Sequence, residues 1–354
     1  MSTSASLALD ARAQPGFRGL LPGFMLCGVI ALAASFVSDH YGGPKFLYAL
    51  LLGIAFNFMV DNPKTLPGIE MSAKNLVRIG VGLLGARIAF SDVAALGAAG
   101  IVALAGTVVL TIGFGVLLAR LLRLPPTLGL LSGGGTGICG ISATLAISST
   151  LPQTRETERY TLLTAIGVAS LSTAAMVLYP LAVPNLGLSA TEAGLFLGGS
   201  IHDVAQVVGA GFMISPQVGD AATLSKMFRV ALLVPVVIAC ALVFRKRRGS
   251  AHRGAVPGRD GHDRRQPLLP AFLVAFAVLV AVNSLGWIPQ SVQAAASGIS
   301  GWCLVIAIAA LGVKTSPEKL VELGWRPVVL MAGEAIFVAL YMLSIVFLLR
   351  LLAT

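Results

Sequence analysis

The chain has 354 residues, 56% of them hydrophobic and only 11% charged, with a mean hydropathy of +0.88. Soluble domains carry about 25% charged residues, so this composition excludes a water-soluble globular protein and points to helices in a bilayer, where backbone polar groups must be satisfied internally. The net charge of +10 is not a nucleic-acid signal, because +6 of it lies between Arg245 and Arg265, where eight basic residues stand against Asp260 and Asp263.

Residues 1–19 are polar and lack a small-residue cleavage site after their first apolar run, so they read as a cytoplasmic tail rather than a cleaved signal. Residues 20–354 read as one transmembrane domain of an all-α polytopic membrane protein, with a basic cytoplasmic loop at 245–267. Apolar runs of spanning length fall near 20–38, 44–60, 73–90, 94–119, 127–150, 160–183, 193–213, 222–244, 268–286, 292–312 and 327–352, which predicts about 11 transmembrane helices. Many of the 40 glycines lie inside these runs, as suits close helix packing and broken helices. Cys27, Cys139, Cys240 and Cys303 show no metal-type spacing, so free thiols and no cofactor are expected.

Cytoplasmic loops are enriched in Lys and Arg. With the 245–265 loop inside, the N-terminal tail (Arg12, Arg18), the 61–74 loop (Lys64, Lys74), the 120–126 loop (Arg120, Arg123) and the 313–326 loop (Lys314, Lys319, Arg326) all fall inside too. The N-terminus is then cytoplasmic and the C-terminus periplasmic, in a bacterial inner membrane.

Two connections resemble each other. Residues 84–97, from Leu84-Gly85 through Arg87 to Leu96-Gly97, match 311–324, from Leu311-Gly312 through Lys314 to Leu323-Gly324. An odd number of predicted helices separates them, which is the pattern of an inverted-topology repeat. Such folds place the substrate near the midplane, where discontinuous helices meet.

Two segments are candidates for interrupted helices. In the fifth run, Gly133, Gly134, Gly135, Gly137 and Gly140 surround Thr136 and Cys139, with Ser142 and Thr144 following. Each glycine disfavours helix by about 1 kcal/mol relative to Ala, so unwound backbone and a half-helix N-terminus suited to an anion are expected here. The alternative is close packing of small residues. In the seventh run, Gly198-Gly199 is the expected break and Ser200-Ile201-His202-Asp203 the expected restart, as a capping box. Asp203 therefore reads either as a cap or as a functional carboxylate. His202 and Gln206 share a helical face; the pair points to substrate contact, and His202 to proton coupling. Lys226 and Arg229 read as an anion attractor, a partner of Asp203, or side chains snorkelling to the interface. Glu334, Arg78 and Asn57 are polar residues in apolar runs with no motif around them; Glu334 reads either as a coupling carboxylate or as the partner of a buried base.

GGGTGICGISA (133–143), GGSIHDVAQVVGAGF (198–212), the Leu311–Ser316 run and Gly324-Trp325-Arg326-Pro327 together resemble the YeiH-type family of bacterial membrane proteins, to which sulfate export is ascribed. Gly137 stands where that family usually has serine, and Glu334 lies outside the familiar pattern. The family is similar to sodium/proton antiporters and bile-acid symporters. That implies a sodium/proton antiporter-like fold, secondary transport, and commonly a dimer.

The expected function is a secondary active transporter exporting a small oxyanion such as sulfate or sulfite, or a sulfonate, coupled to H+ or Na+. A cation/proton antiporter using Asp203 is the alternative, and an intramembrane enzyme or a channel belongs to another class. No GxSxG elbow, HExxH or paired metal ligands favour an enzyme. The expected partners are the anion, the coupling ion, the lipid bilayer and a second copy of the chain, and not nucleic acid.

Overall fold

The computed structural model describes residues 16–251, 270–315 and 324–353, which are helical with no strands. Most of the basic loop and residues 316–323 of the second repeat copy lie outside the described residues. Six helices are long and apolar enough to cross a membrane: Arg18–Tyr41, Gly97–Leu121, Arg155–Leu186, Pro216–Phe244, Gln290–Lys314 and Trp325–Leu352.

The chain divides into two compact units. The first holds the described residues up to Leu76 together with Val305–Lys314. Helices α1 (Phe17–Tyr41) and α3 (Leu66–Met71) cross at Gly23 and Gly68, where neither backbone leaves room for a Cβ. Helix α2 (Lys45–Ala55) meets the end of the Gln290–Lys314 helix through Gly53 and Gly312, and Asn57 Nδ2 donates to the Val313 carbonyl at 2.7 Å. Asn57 thus has a partner that the sequence did not reveal.

The second unit holds Val77–Leu304 and the described residues from Thr315 onward. Its elements are α4 (Val77–Leu84), α5 (Phe90–Ala95), α6 (Gly97–Leu121), α7 (Pro126–Gly137), α8 (Ile141–Ser148), α9 (Arg155–Ala182), α10 (Ala190–Ser200), α11 (Val204–Ile214), α12 (Pro216–Ala231), α13 (Leu233–Ala251), α14 (Ala271–Ser284), most of α15 (Gln290–Lys314) and α16 (Trp325–Ala353). The two matching connections close alike: Gly97 and Gly324 take φ of 66° and 80°, and each leads into a long helix, α6 or α16.

The runs at 127–150 and 193–213 are not single helices that cross. Each is a helical hairpin. In the first, α8 folds back along α7: a Cβ on Gly134 would collide with the Ile147 side chain and one on Gly135 with Thr144, while Leu131, Ile147 and Leu151 form one cluster. In the second, α12 serves as a ruler. Gly194 and Gly198 of α10 pack on Ala221 and then Ser225, so α10 runs parallel to α12. Gly211 of α11 packs back on Gly219 and Ala222, so α11 returns the way α10 came. The arms have 12 and 8 residues in the first hairpin and 11 each in the second. At about 1.5 Å per residue, none can span a hydrocarbon core of about 30 Å.

The hairpins approach α9 from opposite ends. Ser148 of α8 bonds Thr161 near the start of α9, and Phe196 of α10 packs its ring against Tyr179 near the end, centroids 5.4 Å apart. Both tips reach the middle of α9, between Val168 and Thr173. Local chemistry sets these turns. Pro126 opens α7, Ser189 and Glu192 form a reciprocal capping box that opens α10, and Ser215-Pro216 opens α12.

Candidate functional site

The two tips are Ile138–Gly140 and Ile201–Asp203. The first break falls at the end of the expected glycine-rich stretch, and the second is displaced beyond Gly198-Gly199. Gly133, Gly134, Gly135 and Gly137 belong to α7, and Gly198-Gly199 and Ser200 to α10; none is unwound. Their missing side chains serve close packing instead. A Cβ on Gly133 would lie 2.8 Å from the Thr111 carbonyl of α6, one on Gly137 3.3 Å from the Thr111 side chain, and one on Gly198 2.5 Å from the Ala222 carbonyl of α12. Gly199 likewise yields its space to Met342 of α16. The glycines cost helix propensity, yet burial against neighbouring backbones overrides it.

Only Gly140 needs glycine for its backbone, with φ of 68°. The second tip turns on extended residues, Ile201 at φ −74° and ψ 142° and Asp203 at φ −96° and ψ 143°. Ser200 does not restart a helix; its hydroxyl donates back to the Phe196 carbonyl at 2.6 Å. Asp203 is the cap: its Oδ1 accepts the Ala205 N–H at 2.9 Å, and its own N–H donates to Ser172 Oγ of α9 at 3.0 Å. A Cβ on Gly140 would lie 3.7 Å from Asp203 Oδ2, so the two tips touch through this carboxylate.

Lys226 and Arg229 do not snorkel; both are fully buried beside the tips. Arg229 Nε donates to Gly137 O at 2.9 Å and Nη2 to Thr136 O at 2.8 Å, both at the end of α7. Its Nη1 donates to Gly198, Gly199 and Ile201 O at 2.9, 2.7 and 3.2 Å, at the end of α10. Lys226 Nζ donates to Ile201 O at 2.8 Å. Helix C-termini leave orphan carbonyls and a partial negative charge. One guanidinium fork and one ammonium answer both, through charge-assisted bonds. The N-terminal ends of α8 and α11 face the same place and carry the opposite partial charge.

Around this junction the expected site residues separate. Gln206 Nε2 donates to Thr173 Oγ1 of α9 at 2.7 Å, and its Oε1 is buried without a partner. His202 is fully buried, and neither ring nitrogen makes a hydrogen bond, although the backbone carbonyls of Ser200 and Thr136 lie near the ring. Unpaired buried polar atoms are costly, at about 1–3 kcal/mol each, and ask for an explanation such as a ligand. Cys139 is buried at the first tip, where its sulfur meets the Ala143 N–H of α8. Ser142 is exposed on α8, one turn from Gly140. The Thr136 hydroxyl bonds Glu334 rather than the junction, where only its carbonyl takes part.

Sequence reasoning missed Ser132, Ser172 and Thr173, which are serine and threonine inside ordinary apolar helices.

The profile described as Conserved hypothetical protein 698 matches residues 22–331. The chain belongs to this family. It is the YeiH family that the glycine-rich and Ser-Ile-His-Asp motifs pointed to. A UPF0324 membrane protein of Chlorobaculum tepidum is 45% identical over 329 residues, covering 93% of this chain and 89% of that one. The UPF0324 membrane protein TauZ of Paracoccus denitrificans is 46% identical, covering 92% and 95%. A third, from Rhizobium meliloti, is 44% identical over 91% of each chain. The relatives are named as membrane proteins, and with six apolar helices of spanning length this is a multi-pass membrane protein.

Proposed function

We propose that the protein is a secondary active transporter that binds a small oxyanion, such as sulfate, sulfite or a sulfonate, where the two hairpin tips meet at mid-membrane. The observation that carries this reading is the junction itself. Buried Arg229 and Lys226 hold the C-terminal carbonyls of α7 and α10, while the N-terminal ends of α8 and α11 converge beside the unpaired nitrogens of His202. Helix N-termini and fixed cations suit a tetrahedral anion. Irregular backbone at membrane depth is tolerated where it is buried in protein or lines a water-filled cavity.

The topology we propose has two re-entrant hairpins and nine crossings, six of them single long helices and three assembled from shorter elements: α2 with the turn at Asn57–Asp61, α3 running on into α4, and α14. Replacing two crossings with two hairpins leaves the parity intact, so the N-terminus stays cytoplasmic and the C-terminus periplasmic. The turn before α9, with Arg155 and Arg159, moves to the basic cytoplasmic side, as the distribution of Lys and Arg favours. The hairpins then enter from opposite faces, which is the inverted arrangement expected of a transporter core.

Purified protein in proteoliposomes loaded with sulfate or sulfite tests this. Saturable uptake of radiolabelled anion and counterflow are expected, and both are lost in His202→Ala. Cation-dependent proton flux without anion movement supports instead an antiporter centred on Asp203. Conduction without saturation or counterflow makes the protein a channel.

A further inference from the structure

Glu334 is the acidic side chain that the junction does not use. It lies on α16 and is fully buried. Among the described residues no Lys, Arg or His comes within ion-pair distance of its carboxylate. Ser132 Oγ donates to its Oε1 at 2.6 Å and Thr136 Oγ1 to its Oε2 at 3.3 Å, both from α7. The helices around it are poor in charge. α7 has no ionisable side chain, α6 has only Arg120 near its end, α10 has Glu192 in its first turn, and α9 keeps Arg155, Glu156, Glu158 and Arg159 at its start. Tyr160 of α9 packs against the cluster of Ala119, Leu128 and Leu330, and Tyr341 of α16 donates to the Ala103 carbonyl. Gly115 of α6 leaves the space that the carboxylate fills.

A carboxylate in this position has no need to exist for packing; Leu or Met would fill the volume without burying an ionisable group. Ionisable residues within the membrane mark ion pathways and proton relays by default. Its two partners are hydroxyls, each able to donate to a carboxylate or accept from a carboxylic acid. Glu334 can thus exchange a proton while keeping both contacts: charged, it accepts from Ser132 and Thr136; protonated, it accepts from one and donates to the other. Thr136 is also the residue whose carbonyl Arg229 holds beside the first tip. A change of charge on Glu334 therefore acts on the arm that carries the tip.

We propose that Glu334 is the proton-carrying site of the transport cycle, so that one proton bound and released at its carboxylate accompanies movement of the anion. The coupling ion is then H+ rather than Na+. The inference rests on the transport reading, and two measurements keep their failures apart.

The first measurement uses proteoliposomes and radiolabelled sulfate or sulfite. Glu334→Gln preserves size and hydrogen bonding, so it is expected to keep counterflow exchange, which needs no net driving force, and to lose accumulation driven by a pH gradient. Retained pH-driven accumulation in Glu334→Gln overturns the proposal. The second measurement is independent of any substrate. Infrared difference spectra of the purified protein between acidic and alkaline buffer are expected to contain a carboxylic acid C=O band that is missing in Glu334→Gln and shifted in Glu334→Asp. Spectra of wild type and Glu334→Gln that coincide across the whole pH range overturn it as well. If wild type moves no anion while the band is present, the transport reading fails and Glu334 as a proton site stands.

Discussion

The two hairpins reach the same geometry by different chemistry. The first turns on one glycine with a left-handed φ, and no side chain of the tip residue itself caps its outgoing helix. The second turns on extended residues and closes its outgoing helix with the Asp203 carboxylate. The first tip therefore depends on backbone freedom and the second on a cap. What they share is Arg229, which binds carbonyls of both incoming arms. A common clamp with unlike turns suggests that the junction, not either tip alone, is the functional unit.

The largest effect is expected from removing that clamp. Arg229→Met removes the side-chain donor of four backbone carbonyls, those of Thr136, Gly137, Gly198 and Gly199, while Ile201 O keeps Lys226, at a cost of about 1–3 kcal/mol for each buried group left unsatisfied. Loss of monodisperse protein on size-exclusion chromatography is the expected outcome, with partial rescue in Arg229→Lys. A stable Arg229→Met protein would show that the tips hold themselves.

Gly140→Ala comes next and separates the tips. A left-handed φ costs a non-glycine residue roughly 1–2 kcal/mol, so thermal stability should fall at the first tip. Asp203→Asn should barely change stability, because Asn caps about as well as Asp, yet transport should fall if the negative charge at the contact between the tips matters. Asp203→Ala should lose both, with about 1 kcal/mol from the cap. Equal transport by Asp203→Asn and wild type confines the residue to capping.

The smallest effect is expected at the Arg87–Asp220 pair, 2.7 Å apart and partly exposed, with side chains 30% and 22% accessible. Exposed pairs contribute about 0–1 kcal/mol, so Arg87→Gln should shift the melting temperature little and more at low salt than at high salt.

Much of this was legible in the sequence, and the misreadings have physical causes. Runs of apolar residues gave the long helices, since only helix satisfies the backbone in lipid. The interrupted segments were correctly located, but an apolar run of 21 or 24 residues reads alike whether it crosses or folds back. Gly134 against Ile147 reveals the fold-back only in three dimensions. The first break was expected across the stretch from Gly133 to Gly140 and the second on Gly198-Gly199, because glycine disfavours helix. Tertiary packing instead held Gly133 and Gly198 helical and left the turns to Gly140 and Ile201–Asp203. The sequence kept open whether Asp203 is a cap, and the cap is real. Lys226 and Arg229 were expected to face an anion, Asp203 or lipid, because helix-end carbonyls from distant segments are invisible to a sequence.

Sided labelling of single cysteines tests the central claim, two hairpins entering from opposite faces, most directly. In a background with the four native cysteines replaced, Glu156→Cys in the first turn of α9 and Asn185→Cys after it are exposed positions. A membrane-impermeant maleimide should reach Glu156→Cys from the face that also labels Arg123→Cys, and Asn185→Cys only from the other. Labelling of Glu156→Cys from the face opposite Arg123→Cys would mean that the first hairpin crosses the membrane, and the opposed-hairpin account would be wrong.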